Sequence, residues 1–215
     1  MRVAGDFDIV LPMRGRFIVI EGIDGSGKST MAARIAAELQ RRGRKALRTR
    51  EPGGTPLGEK IRTLLLDARN SGMVPFTELF LYMAGRAQLV DEVIRPALRR
   101  GTDVVCDRYY HSTAAYQGAA GGVGIRTVID LAEKIARFER PDLVALLDLP
   151  PTVARKRKGI RNDRVERKGL AYQKRVRQGF LELARHDRSR FRVIDASRPA
   201  QEVFMALKDA LDHVL

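Results

Sequence analysis

Short apolar runs alternate along this chain with longer amphipathic segments. Residues 17–20 form a run suited to a buried strand that ends at Glu21. Met31, Ile35 and Leu39 then recur at helical spacing, which predicts a helix from Ser29 to about Arg42, stopped by Gly43. A weaker strand follows at 46–49, then helices at 57–66 and 77–90. Further strands are predicted at 104–105, 143–147 and 191–194, ending at Asp107, Asp148 and Asp195. Such alternation predicts an α/β fold built on a parallel sheet. Several strands end in a carboxylate where the chain turns, and ligands of open α/β sheets bind beyond those strand ends. Residues 118–124, rich in glycine, read as a loop. No repeat or long linker divides the chain, so 17–215 is expected to be one domain. Residues 1–16 then form an extension, with Met13 an alternative start.

Composition narrows the class. The chain has 215 residues, 44% of them hydrophobic, but no apolar run near the ~18 needed to span a membrane. Its single cysteine, Cys106, excludes an internal disulfide and a Cys-based zinc cage, and suits a reducing compartment. A cytoplasmic protein is expected. The net charge is +14, and residues 155–177 contribute eleven Lys and Arg against Asp163 and Glu166, a local balance of +9. Such a stretch fits a grip on nucleic acid, closure over the phosphates of a nucleotide, or a solvated helix face.

Residues 22–29 read GIDGSGKS, a full match to G-x-x-x-x-G-K-[ST] between a predicted strand and helix. Glycines let the backbone bend so that the amides of Gly22, Ile23, Asp24, Gly25, Ser26, Gly27, Lys28, Ser29 and Thr30 can face an anion. Lys28 adds a point charge for the outer phosphates, the Ser29 hydroxyl can ligate Mg²⁺, and the helix start presents its positive end. The pattern specifies a nucleoside triphosphate but leaves its use open, since motors, GTPases and kinases share it.

Four further segments, REPGGTPLGEKIR at 50–62, ELFLYMAGRAQ at 78–88, DRYYHSTAAYQG at 107–118 and DRVE at 163–166, share order and spacing with one family. Together with GIDGSGKST the chain resembles bacterial thymidylate kinases from Phe17 to its C-terminus, including RPDLVALLDLPP at 140–151 and VIDASRPAQEV at 193–203. The resemblance implies a three-layer P-loop NTPase fold: a parallel five-stranded sheet flanked by helices, with a small basic lid at about 155–166. It implies transfer of a phosphoryl group from MgATP to dTMP, and a homodimer packed through helices beside the sheet. No membrane and no specific nucleic acid are expected as partners.

By the same resemblance Arg62 and Arg108 hold the acceptor's phosphate, a role that suits the planar fork of arginine. Tyr82 stacks on the base and Arg86, one turn later, reaches a base oxygen. Glu51, Thr113 and Gln117 belong to the acceptor site, and Tyr116 blocks a ribose 2′-hydroxyl. Asp24 positions the acceptor, and Asp107 helps Ser29 to hold Mg²⁺, partly through water. Lys28, Asp24 and Arg108 are catalytic, joined by the lid arginines Arg157, Arg161 and Arg164, because Gly25 follows Asp24 where other family members carry a P-loop arginine. Plainer roles exist for several of these: Tyr82 as core packing, Arg86 as a surface ion pair, Asp107 as a helix cap. His111 and Cys106 are expected to be structural. The chain departs from the family in having Tyr82 where phenylalanine is commoner, and in GAAGGVG after Gln117, which lacks an arginine often found there. A related kinase with another acceptor, or a DNA-stimulated ATPase, would share much of this pattern.

Overall fold

A computed structural model describes residues 14–158, Arg164 and 168–215. Five parallel strands form one sheet in the order β2-β3-β1-β4-β5: β1 Phe17–Glu21, β2 Ala46–Arg50, β3 Asp103–Asp107, β4 Leu143–Asp148 and β5 Phe191–Asp195. The three inner strands are buried almost throughout, which explains their unbroken apolar sequences. The edge strand β2, ALRTR, is only partly buried and accordingly reads as the weakest strand. Each predicted strand is present, one or two residues longer at its ends than the apolar run alone.

Helices α1 Lys28–Arg41, α2 Pro56–Leu66 and α3 Pro75–Leu89 fall on the three predicted helical segments. The first starts one residue earlier than predicted, because Gly27 in the left-handed region caps it. In α2, Pro56 sits where no amide hydrogen is needed, and Thr55 Oγ1 accepts from Gly58 N at 2.9 Å. Then come α4 Arg95–Arg99, α5 Tyr110–Thr113, α6 Ile125–Asp130, α7 Pro151–Lys158, α8 Gly169–His186 and α9 Ala200–Asp212. Three π-helical turns, Val90–Ile94, Ala114–Ala120 and Leu131–Ile135, extend α3, α5 and α6. The second of these takes up the start of the segment read as a loop: Gly118 to Ala120 are helical and the loop begins at Gly121. Its alanines pack against α8, and this tertiary support overrides the weak helix preference of glycine.

The chain ahead of β1 is tied down from Arg14 onward. Phe17 N donates to Asp142 at 2.7 Å and Gly15 N to the Leu98 carbonyl at 2.9 Å. Residues 1–13 lie outside the described set. The strand order reverses around β1, so the carboxyl ends of β1, β3 and β4 open onto one crevice. Glu21, Asp107 and Asp148 stand there, with Ile20 in register with Asp107.

Candidate functional site

The loop after β1 folds as GxxxxGK[ST] requires. Gly22 has φ 141° and Gly25 φ 83°. A Cβ on Gly22 would stand 2.6 Å from the Leu147 carbonyl oxygen, and one on Gly25 would stand 2.8 Å from that of Ala154. Any side chain there would push the loop off β4 and α7. Lys28 Nζ donates to the Ile23 carbonyl at 2.8 Å and lies 3.9 Å from the Asp24 carboxylate. Burial, reinforced by Arg108, lowers its ammonium to about 8. Ser29 Oγ donates to the Asp107 carboxylate, so the two expected metal ligands touch. Asp107 caps no helix: α5 begins at Tyr110 without a side-chain cap. The buried Ser26 hydroxyl has no hydrogen-bond partner among the described residues.

A second cleft opens beside this loop. Its walls include Asp24, Glu51, Arg62, Tyr82, Arg86, Arg108, Thr113, Tyr116 and Gln117. All eight residues expected in the acceptor site therefore surround one cavity, though they come from five stretches of chain. Arg108 occupies the border. It sits at φ 74°, in the left-handed region, and its guanidinium donates to Gly22 O and Ser112 Oγ, each at 3.0 Å, and to Asp24. It also lies 5.3 Å above the Tyr116 ring. Arg62 donates to the Pro52 carbonyl at 2.8 Å on the opposite wall.

Arg86 is no surface ion pair. It is 2% exposed and its Nε donates to both Glu51 oxygens, at 2.7 and 3.0 Å, while Nη2 reaches Glu51 at 2.5 Å and Thr113 Oγ1 at 2.9 Å. Among the described residues Nη1 donates only to the Met83 sulfur, at 3.3 Å, a weak acceptor. One strong donor edge is thus left for a ligand in the cleft. Tyr82 is half-buried on the same wall, its phenol pushed up to about 12 by burial and by Glu78. Gln117 Nε2 donates to Glu78 Oε1 at 3.0 Å. The Tyr116 hydroxyl has no hydrogen-bond partner among the described residues.

The basic stretch is more engaged than its composition suggests. Arg157 donates to the carbonyls of Ala196 and Ser197 at 2.7 and 3.0 Å, on the turn after β5. Arg164, 5% exposed, donates to Leu65 O at 2.9 Å and pairs with Glu78 at 2.9 Å, where Lys168 joins at 3.0 Å. Arg177 forms a two-pronged pair with Asp148 at 2.7 Å. Arg161 lies outside the described residues. So Arg164, expected on the lid, is joined through Glu78 to Gln117 of the cleft wall.

Two carboxylates of the site carried no role in the sequence. Glu78 gathers Gln117, Arg164 and Lys168, and Glu21 sits under the turn that carries Arg108. Glu21 was visible only as a strand-end carboxylate; no pattern marked Glu78. His111 and Cys106, expected to be structural, are both buried. The His111 ring packs 4.2 Å from Tyr110 and edge-on to Phe191, and burial raises the Cys106 thiol well above its ordinary value.

Comparison with known proteins gives one answer. The family model of thymidylate kinase matches residues 20–207. The thymidylate kinase of Desulfosudis oleivorans is 45% identical over 207 residues, 92% of this chain and 97% of that protein. That of Deinococcus radiodurans is 45% identical over 192 residues, covering 88% and 93%. Among solved structures, the crystal structure of thymidylate kinase from Ehrlichia chaffeensis superimposes with a TM-score of 0.75 at 30% identity, over 93% of this chain and 99% of that one.

Proposed function

The chain belongs to the thymidylate kinase family and phosphorylates dTMP to dTDP with ATP, a step of dTTP synthesis; we propose that the P-loop holds ATP and the adjoining cleft holds dTMP, with Arg108 between them. The observation that carries this assignment is the placement of Arg108, bonded to Gly22 and Asp24 of the P-loop while lining the cleft with Tyr82 and Arg86. An arginine so placed faces the acceptor's phosphate on the side where the transferred group arrives. Tyr82 then offers its ring to the base and Arg86 Nη1 donates to a base carbonyl. Thr113 and Gln117 stand near the base edge and sugar, and Arg62 and Glu51 complete the wall. Tyr116 lies under Arg108, where a 2′-hydroxyl would meet its ring.

The acceptor's phosphate is already anionic near neutral pH, so the transfer needs alignment and charge neutralisation more than a base. Lys28 and Arg108 supply fixed positive charge around the reacting phosphoryl group, and Asp24 keeps both in place. Mg²⁺ fits the donor set: Ser29 and Asp107 give a hydroxyl and a carboxylate side by side, hard ligands that leave further positions to phosphate oxygens and water. When bound it would offset phosphate charge. Of the two described lid arginines, Arg157 moves more cheaply than Arg164, giving up two carbonyl bonds of about 1 kcal/mol each. Arg164 would break a buried pair at about 3–5 kcal/mol, so it acts from its position beside Glu78.

Helices α2 and α3 leave Leu57, Leu64, Phe76 and Phe80 each 47–57% exposed on the outside of the molecule, with Phe76 and Phe80 stacked 6.3 Å apart. Such a patch supports a homodimer closed through these helices. No helix among the described residues is long and apolar enough to cross a membrane, and the single buried thiol suits the cytoplasm. The deciding experiment is ADP formation from MgATP with each nucleoside monophosphate in turn. Turnover with dTMP far above that with dCMP, dAMP, dGMP and UMP, lost in Lys28→Ala and Arg108→Ala, is the expected result. Faster turnover with another monophosphate would overturn the roles given to Tyr82, Arg86 and Thr113.

A further inference from the structure

Arg108 adopts a backbone conformation that L side chains rarely take, at φ 74°. Strain of that kind persists only where surrounding contacts impose it. The contacts that impose it converge on one buried side chain. Glu21 is 0% exposed; its Oε1 accepts from Tyr109 N at 2.8 Å and Ser112 N at 3.0 Å, and its Oε2 accepts from Ser112 Oγ at 2.6 Å. Ser112 Oγ in turn accepts from Arg108 Nη1 at 3.0 Å. Glu21 also immediately precedes Gly22, whose carbonyl takes the same Nη1. Thus the residue that ends β1 fixes both the backbone turn after Arg108 and, through one hydroxyl, the direction of its guanidinium.

We propose that Glu21 is a positioning residue for phosphoryl transfer, holding the 108–112 turn so that Arg108 faces the acceptor's phosphate. The proposal rests on the reading that Arg108 binds that phosphate. A buried carboxylate serves here because three donors must be satisfied at once by two oxygens fixed relative to each other. The cations nearest it, Lys28 and Arg108, offset part of the cost of its burial. A glutamine would keep one oxygen for the two amides. It would set an NH₂ group against a Ser112 oxygen that already accepts from Arg108, and leave the serine proton without an acceptor.

The test compares Glu21→Gln, Ser112→Ala and Arg108→Lys in steady-state kinetics with dTMP and MgATP, each at a temperature where circular dichroism shows it folded. Ser112→Ala leaves the two backbone bonds of Glu21 intact and removes only the link to Arg108. Expected are a drop of at least tenfold in kcat/KM for dTMP in Glu21→Gln and Ser112→Ala, KM for ATP within about twofold, and a double variant no worse than the poorer single one. Arg108→Lys should equal or exceed both. Wild-type kcat/KM for dTMP in Glu21→Gln, or equal losses toward both substrates, would overturn the positioning role while Arg108→Lys remained defective. Unimpaired Arg108→Lys would overturn the reading of Arg108 and the proposal with it.

Discussion

The pair Glu51–Arg86 is the most consequential ion pair of the acceptor cleft, and its removal has a calculable effect. Side-chain exposure is 4% for Glu51 and 1% for Arg86, with Nη2 and Oε2 2.5 Å apart. At about 3 Å and an effective dielectric near 20, the attraction is roughly 5 kcal/mol, which offsets the cost of taking both charges out of water. Glu51→Ala removes the attraction but leaves Arg86 buried, so it should cost about 3–5 kcal/mol. For a chain of this length each kcal/mol lowers Tm by roughly 2–4 °C, giving a fall of about 6–20 °C. The released guanidinium also regains rotamer freedom worth up to about 2 kcal/mol, so KM for dTMP should rise, by up to about thirtyfold, even where the variant stays folded.

The arithmetic has an internal check. Replacing both partners, as Glu51→Leu with Arg86→Met, removes the stranded charge, and the double variant should be more stable than Glu51→Leu alone. Urea denaturation followed by circular dichroism measures these three variants and Arg86→Met alone. A Glu51→Ala variant within about 1 kcal/mol of wild type, or a double variant that is merely the sum of the singles, would refute the reasoning.

Three further outcomes are expected. Burial first, then the charges of Arg86 and Arg190, lowers His111 to about 3, so between pH 6.5 and 3 the unfolded chain binds the extra proton and stability falls with acid by up to about 1.4 kcal/mol per pH unit. Glu21, raised to about 7 mainly by burial, has the opposite sign, its contribution being complete below about 4.5 and lost as pH rises to 7. His111→Gln should therefore become relatively more stable toward pH 4.5, and urea curves that stay parallel to wild type from pH 6.5 to 4.5 would contradict it. For the proposed dimer, Phe80→Glu on the exposed face of α3 should lower the sedimentation coefficient to that of a monomer in analytical ultracentrifugation; an unchanged coefficient would move the interface elsewhere. Tyr116→Ala should raise turnover of UMP relative to dUMP about tenfold, and an unaltered ratio would remove Tyr116 from 2′-hydroxyl exclusion.

Much of the fold was legible because its physics is local. The inner strands are runs of Val, Ile and Leu that only a sheet covered on both faces can bury, and GIDGSGKS encodes its own bend and helix start. Arg86 was assigned to a base by the family resemblance, and it does line the cleft. Its partner lies 35 residues away, a distance that no periodicity bridges. The basic stretch misled in a different way. Composition counts charges but does not say which are buried, and Arg164 and Arg177 turn inward because Glu78 and Asp148 wait at the ends of other elements. The π-helical turn Ala114–Ala120 was illegible for a related reason: a glycine-rich string reads as loop until α8 packs on it.

The border between the two clefts shows why such a site needs no general base. Arg108 is held by Gly22 O from the P-loop, Asp24 from the same loop and Ser112 Oγ from α5, and the last is bonded to Glu21 at the end of β1. Every anchor is rooted at the carboxyl ends of β1 and β3, strands that pair directly from Phe17 to Ile20. Donor and acceptor sites thus share one rigid wall, and their relative position is set by sheet hydrogen bonds rather than by a loop. In-line transfer depends steeply on that alignment, where an error of 1 Å costs about a hundredfold in rate. In the proposed mechanism the movable charge, by contrast, is Arg157 near the end of α7, tethered by carbonyl oxygens and so able to be drawn toward phosphate at small cost. If, as proposed, alignment is built into the sheet and neutralisation is completed by Arg157, substitutions at Glu21, Ser112 or Asp24 should impair the use of dTMP, and substitutions at Arg157 should lower kcat with little change in either KM.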